Sequence, residues 1–332
     1  MPKILVIRFS SIGDIVLTSP VVRCLSKQIP GAEIHFLTKN INNKLLEANV
    51  YIKKIHLFDR SLSELIVKLK FEKFDYVVDL HNNIRSRRVR LGLGVKSFTF
   101  DKLNIRKWLM VRLKLNLLPK QHIIDRYFKA IAKLGVVNDG AGCDFFIPEK
   151  DKVALSHLPP SHQNGYIGFV IGANYSTKRL PLYKIISLCK KINKPIVLLG
   201  WKSEECYGDQ IYKELPELVY NACGAYNINQ SASLVQQASM VISHDTGLMH
   251  IAAAYKKRIV SIWGNTIPDF GMTPYMDASL FKTVEVKGLS CRPCSKIGYS
   301  RCPKGHFKCM NLINEAEIVA LVEDWQKMDV LQ

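Results

Sequence analysis

Acidic residues are what this chain most lacks. It carries 28 Asp and Glu against 47 Lys and Arg, a formal net charge of +19. Such a surface attracts polyanions, whether nucleic acid, anionic headgroups or a phosphorylated glycolipid, unless the charge serves solubility alone. A run of ~18 apolar residues is missing, so no transmembrane helix is expected. The N-terminus enters a strand directly, without an apolar signal core and cleavage site, and a cytoplasmic location is expected. No Gly-x-Gly-x-x-Gly follows the first strand, which speaks against a nicotinamide dehydrogenase or a sugar-nucleotide epimerase. No Asp-x-Asp metal motif is present. No aromatic RNA-binding signature accompanies the basic residues, which weakens the reading as a nucleic-acid-binding protein. Short internal repeats and low-complexity tracts are also absent.

What is present is an ordinary globular composition, 48% hydrophobic and 23% charged over 332 residues, and the length suits two domains of roughly 150 residues each. Lys3–Phe9 reads as a strand, Ser10–Gly13 as a small-residue turn and Asp14–Pro20 as the opening of an amphipathic helix. Further strands are expected at Glu33–Leu37, Ile52–Leu57 and Phe74–Leu80, with helices near Leu62–Leu69 and Ile123–Leu134. Gly135–His162 reads as a linker. The alternation restarts at Tyr166–Ile171 and continues through Pro195–Gly200, Leu218–Ala222, Met240–Ser243 and Arg258–Gly264. Strands alternating with helices imply parallel sheets with right-handed crossovers. The expected class is therefore α/β: two Rossmann-like domains, residues 1–150 and 151–332, facing a central cleft. The last helix, about Glu315–Val330, is a candidate to pack back on the first domain.

Several loops at strand ends carry chemistry, because ligands of open α/β sheets bind there. Asp14 reads either as a helix cap and dipole partner or as a carboxylate facing a ligand. In Ser243–His250, Asp245 can cap a helix or accept from sugar hydroxyls, and Thr246 and Gly247 offer backbone N–H groups to an anion. The loop Gly172–Pro181 holds Ala173 and Asn174, the hydroxyls of Ser176 and Thr177, and the cations Lys178 and Arg179. It suits a diphosphate, though it lacks the Gly-Lys-Ser/Thr ending of a Walker A loop, and it reads equally as a solvated basic loop. Glu204, after the next strand, reads as a ribose ligand or a cap. Of nine cysteines, Cys24, Cys143, Cys189, Cys206 and Cys223 read as buried small hydrophobes in a reducing compartment. Cys291, Cys294, Cys302 and Cys309 are spaced C-x2-C-x7-C-x6-C, which leaves a structural zinc, free thiols or a labile disulfide open.

Taken in order, Ser-Ser-Ile-Gly-Asp at 10–14, Gly-Ala…Thr-Lys-Arg-x-Pro at 172–181, Asp-Thr-Gly-x-Met-His at 245–250 and Cys-Arg-Pro-Cys…Cys-Pro-x-Gly-His-x-x-Cys at 291–309 resemble glycosyltransferase family nine, the ADP-heptose:lipopolysaccharide heptosyltransferases. The resemblance spans nearly the whole chain. It implies a GT-B fold with an N-terminal acceptor domain and a C-terminal donor domain, and a metal-independent, inverting transfer with no cofactor. By the same resemblance Asp14 matches the catalytic base and Lys178 the lysine at the donor diphosphate and sugar. Glu204 matches the ribose ligand, and Asp245, Thr246 and Gly247 match the donor-sugar and phosphate site, with Gly13 and His250 beside them. Ser10, Ser11, Arg85, Arg87, Arg88, Arg106 and Lys107 are the candidates for an anionic glycolipid acceptor at the inner-membrane surface. No nucleic-acid partner is expected, and a monomer is. Some members carry two hydroxyl residues where this chain has Asn174-Tyr175. That departure leaves open a family member using another nucleotide-sugar donor. A basic nucleic-acid-binding protein with a zinc-stabilised tail is the distant alternative.

Overall fold

The computed structural model describes residues 1–330, with side chains through Met328. Each half of the strand–helix alternation builds a wholly parallel sheet. The first contains β1 (Lys3–Ile7), β2 (Glu33–Lys39), β3 (Lys54–Phe58), β4 (Tyr76–Asp79) and β5 (Lys96–Thr99), in the order β3-β2-β1-β4-β5. The second contains β6 (Ile167–Val170), β7 (Ile196–Leu199), β8 (Val219–Asn221), β9 (Met240–His244), β10 (Arg258–Trp263) and β11 (Phe281–Glu285), in the order β11-β10-β9-β6-β7-β8. Central strands such as β6 and β7 are buried at every residue, as parallel strands covered on both faces must be, and this gives them continuous apolar runs. In both sheets the strand order reverses beside the first strand, between β1 and β4 and between β6 and β9. These are the topological switch points where such sheets hold ligands.

The chain divides into two compact units. One contains Met1–Asn104 and Gln121–Pro148; the other contains Ile105–Lys120 and the chain from Glu149 onward. The segment Ile105–Lys120 thus lies in sequence within the first expected domain and in space with the second unit. The first core gathers Leu5, Ile7, Phe9, Leu37, Leu69, Val77 and Val89. The second gathers Phe169, Leu198, Ile242, Ile262, Met310 and Trp325 among others. The last helix, Glu315–Val330, packs on its own unit: Ile318, Val322 and Trp325 join that second core, and Glu315 is ion-paired with Lys184 and Lys191.

Two local readings change. The helix expected from Asp14 to Pro20 is two helices, Ile12–Val16 and Ser19–Gln28. Pro20 sits in the first turn of the second, where its missing N–H has no partner to lose. The front of the expected linker is fastened down rather than free. Arg23, buried in that helix, donates to Asp139, Asp144 and the Gly142 carbonyl. These bonds tie the stretch structurally to the first unit.

Candidate active site

In the first unit, β1 delivers Arg8 and the loop Phe9–Ser11 to the switch point. Asp14 is the third residue of the short helix Ile12–Val16 and closes a capping box with Ser11. Its Oδ2 accepts from the Ser11 backbone N–H at 3.1 Å and the Ser11 hydroxyl at 2.7 Å. Its Oδ1 lies 2.5 Å from Arg8 Nη2. The cap is therefore real, and it occupies one oxygen while a buried guanidinium holds the other. Burial works to raise the Asp14 carboxyl, but Arg8 and the Ser11 hydrogen bonds outweigh it and hold the group at about 2, ionised at neutral pH.

Arg8 is locked in turn. It donates to the Ser10 carbonyl at 2.8 Å, the Tyr127 hydroxyl at 3.2 Å and the Leu80 carbonyl after β4. His81, the next residue, stacks edge-on against Phe9, and burial followed by the Arg8 charge pushes its imidazole down to about 3. It is neutral at physiological pH. Gly13 is buried in the helix, and Ser10 contributes its carbonyl rather than its side chain to this cluster. Arg85, Arg87 and Arg88 are exposed on the helix Ile84–Leu93 that follows β4.

In the second unit the loop after β6 meets the loop after β9. Lys178 Nζ lies 2.5 Å from Asp245 Oδ2 and 3.3 Å from the Asp245 carbonyl. Asp245 Oδ2 also accepts from the Thr266 hydroxyl at 3.0 Å. Asp245 precedes Thr246, the N-cap of the helix Gly247–Ala254, but the Thr246 side chain does not cap it; its hydroxyl meets Ser243 Oγ at 3.3 Å. His250 is buried on that helix. Ala173 is buried, whereas Asn174 and Ser176 are exposed on the loop. His244 Nε2 accepts the Leu180 N–H at 2.9 Å and so ties the loop to β9. Burial, then the Arg179 charge, lowers this imidazole to about 3, which keeps it the neutral acceptor that the bond requires.

Two sequence assignments change in detail. Thr177 is buried, and its hydroxyl donates to the Tyr299 carbonyl at 3.0 Å and accepts the Tyr299 N–H at 2.8 Å. It braces the loop against the C-terminal tail and is not presented to a donor. Glu204 is 2% exposed, and both of its oxygens are engaged. Oε2 accepts the Trp201 N–H at 3.0 Å; Oε1 accepts from Ser203 Oγ at 2.7 Å and pairs with Arg179 Nη1 at 3.0 Å. A Cβ on Gly172 would lie 2.8 Å from Glu204 Oε2, so only glycine lets the two loops approach this closely. Likewise a Cβ on Gly264 would lie 2.8 Å from the Thr177 carbonyl oxygen.

Arg106 and Lys107 fall in the second unit, and Arg85, Arg87 and Arg88 in the first. Lys107 lies over the Phe270 ring, 5.6 Å from its centre. Among the described residues all nine cysteines are free thiols. Four of the five scattered ones are buried; Cys206 is exposed on the helix Glu205–Glu214. Cys291 Sγ lies 3.9 Å from His306 Nε2, and Cys294 Sγ donates to the Cys291 carbonyl. Sequence reasoning passed over Arg8, His81 and Thr266. Arg8 carried a signal: a charge ending an apolar strand run must find a partner when buried. Thr266 carried none.

Cations and carboxylates stand together at both switch points, Arg8 with Asp14 and Lys178 with Asp245, a set suited to an anionic, hydroxyl-rich substrate. The profile of glycosyltransferase family 9 (heptosyltransferase) matches residues 62–300, and the chain belongs to that family. It is a glycosyltransferase with the GT-B fold. It is similar to lipooligosaccharide heptosyltransferase 2 of Haemophilus influenzae, 23% identical over 327 residues that cover 89% of this chain and 93% of that protein. Among solved structures it resembles the family 9 glycosyl transferase of Veillonella parvula, with a TM-score of 0.79 at 19% identity over 98% of this chain and 97% of that one. It also resembles the Escherichia coli ADP-heptose lps heptosyltransferase II, with a TM-score of 0.70 at 21% identity over 97% and 99%.

Proposed function

We propose that this glycosyltransferase moves heptose from ADP-heptose to the inner core of lipopolysaccharide, in one inverting displacement that needs no metal. The names of its relatives support the sugar and the acceptor. The observation that carries the reading is the pair of switch-point carboxylates, Asp14 and Asp245, each held by a cation. Asp14 takes the proton of the acceptor hydroxyl. A carboxylate has about four acceptor positions, and Arg8 and Ser11 fill three, which leaves one for the acceptor. Its low basicity is no obstacle. In an oxocarbenium-like transition state the attacking oxygen becomes strongly acidic as its bond to carbon forms, and a weak base suffices.

Lys178 exchanges Asp245 for the departing diphosphate, joined by the amides of Thr246 and Gly247 at the helix start. Asp245 then accepts from sugar hydroxyls. Arg179, aligned by Glu204, faces the nucleotide. Arg85, Arg87 and Arg88 receive the anionic groups of the glycolipid. Such an acceptor places the enzyme at the cytoplasmic surface of the inner membrane.

Calorimetric titration with ADP, GDP, UDP and dTDP, with and without Mg²⁺, tests the donor. Selective ADP binding unchanged by Mg²⁺ is expected, followed by heptose transfer to lipid A precursors. Preference for another nucleotide replaces the donor and keeps the fold. Binding of none of them removes the proposal.

A further inference from the structure

The helix Asn104–Leu113 contains no buried residue, although its sequence is mostly apolar. Ile105 is 77% exposed, and Trp108, Leu113, Leu115 and Leu117 are each at least half exposed. Large apolar side chains left exposed in such number over one short segment mark an interaction site. The segment does not hang free. Lys114 Nζ donates to the Pro293 carbonyl at 2.8 Å, Asn116 Nδ2 to Asp269 Oδ2 at 2.6 Å, and Lys107 lies over Phe270. One side is thus anchored to the second unit while the apolar residues stay outside.

Cations interleave with these residues: Arg106, Lys107, Arg112, Lys114 and Lys120. No Asp or Glu occurs from Lys102 to Ile124. A second copy of this chain is a poor occupant, because a twofold contact sets the patch against its own copy and so gathers cations from both with no acid in the segment to pair them. Nucleic acid would use the cations and leave the leucines in water. An anionic bilayer uses both. Trp, Leu and Ile enter the headgroup–acyl boundary while Lys and Arg pair with headgroup phosphates. Ten residues of helix span about 15 Å, too short to cross a bilayer. No helix among the described residues is long and apolar enough to do so.

We propose that Asn104–Lys120 is a monotopic membrane-docking element that lays Trp108, Leu113, Leu115 and Leu117 into an anionic bilayer surface. The element rests on the glycolipid-acceptor reading for its purpose, since it would hold the enzyme where that acceptor lies.

The test uses the full chain and vesicles of phosphatidylcholine with or without phosphatidylglycerol, in co-sedimentation at low and high salt. Binding to the anionic vesicles is expected to exceed binding to neutral ones by on the order of tenfold or more and to fall with salt. Trp108→Ser with Leu113→Ser, both on exposed positions, should weaken it by at least about tenfold. A vesicle-induced blue shift of tryptophan emission should vanish in Trp108→Phe, although that variant still binds. Vesicle binding indifferent to the double substitution overturns the proposal. So does a solution dimer that the same substitution dissolves, or nucleic-acid binding that it abolishes. Transfer to a lipid-free acceptor fragment, measured in parallel, separates the two readings. Transfer without vesicle binding sinks only the docking element, whereas vesicle binding without transfer sinks only the proposed reaction.

Discussion

In the first unit the cation beside the switch-point carboxylate is buried and held on every side. In the second it hangs on one residue. Arg8 bonds Asp14, two backbone carbonyls and Tyr127, and its planar fork can satisfy all of them at once. Both bonds of Lys178 go to Asp245, and an ammonium on a flexible stem can swing away. The contrast teaches which group is built to stay and which to move. Asp14 is fixed in place, held by Arg8 on one oxygen and by Ser11 on the other. Asp245 and Lys178 hold chiefly each other, and in the proposed reaction it is this pair that a substrate would separate.

The sharpest way to break this comparison is Asp14→Asn. It keeps the shape and removes the base, so turnover should drop by about 10²–10⁴ while donor affinity stays nearly constant; near-normal transfer in a steady-state assay would refute the assignment. Lys178→Ala should cost about 10²–10³ in turnover and raise the donor KM.

Acid should reach the first unit through Asp14. Its folded carboxyl titrates at about 2 against an ordinary 3.8, so its stabilisation is complete above about pH 4 and is lost as pH falls toward 2. That is worth about 2 kcal/mol, visible as a drop in urea midpoint that Asp14→Asn should abolish. Glu315 in the second unit, also held at about 2, should be untouched by that substitution. Arg8→Lys should leave buried acceptors unpaired and cost about 1–3 kcal/mol in chemical denaturation. Least of all, Thr266→Val should remove one hydrogen bond to Asp245, about 1 kcal/mol, read as a few-fold rise in donor KM.

Long buried strands were legible in the chain because burial on both faces writes an unbroken apolar run. β1, β6, β7 and β10 lie within segments read that way, and β9 runs one residue beyond its segment, through His244. β5 and β11 were not. They are edge strands of four and five residues whose outer positions face water, so Lys96-Ser97-Phe98-Thr99 carries no run to see. At the site, the residues themselves were legible from their place after strands, but their bonds were not. Asp14 and Asp245 look alike in sequence. Only tertiary packing shows that one is clamped by Arg8 and the other by Lys178. The hydroxyl of Thr177 looked available because its partner, Tyr299, lies 122 positions away.

That last bond has a consequence for the order in which the enzyme comes into being. A chain emerging from the ribosome can complete its first sheet once Thr99 is out, and its second once Glu285 is. The loop bearing Lys178 is still without its outer wall at that moment. Tyr299, which grips Thr177, and Met310, which fills the space beside Gly264, are translated afterwards. A message cut short after the last strand would therefore yield a full set of strands with the Lys178 loop unbraced. The bracing of the loop that carries Lys178 would be among the last features the nascent protein acquires.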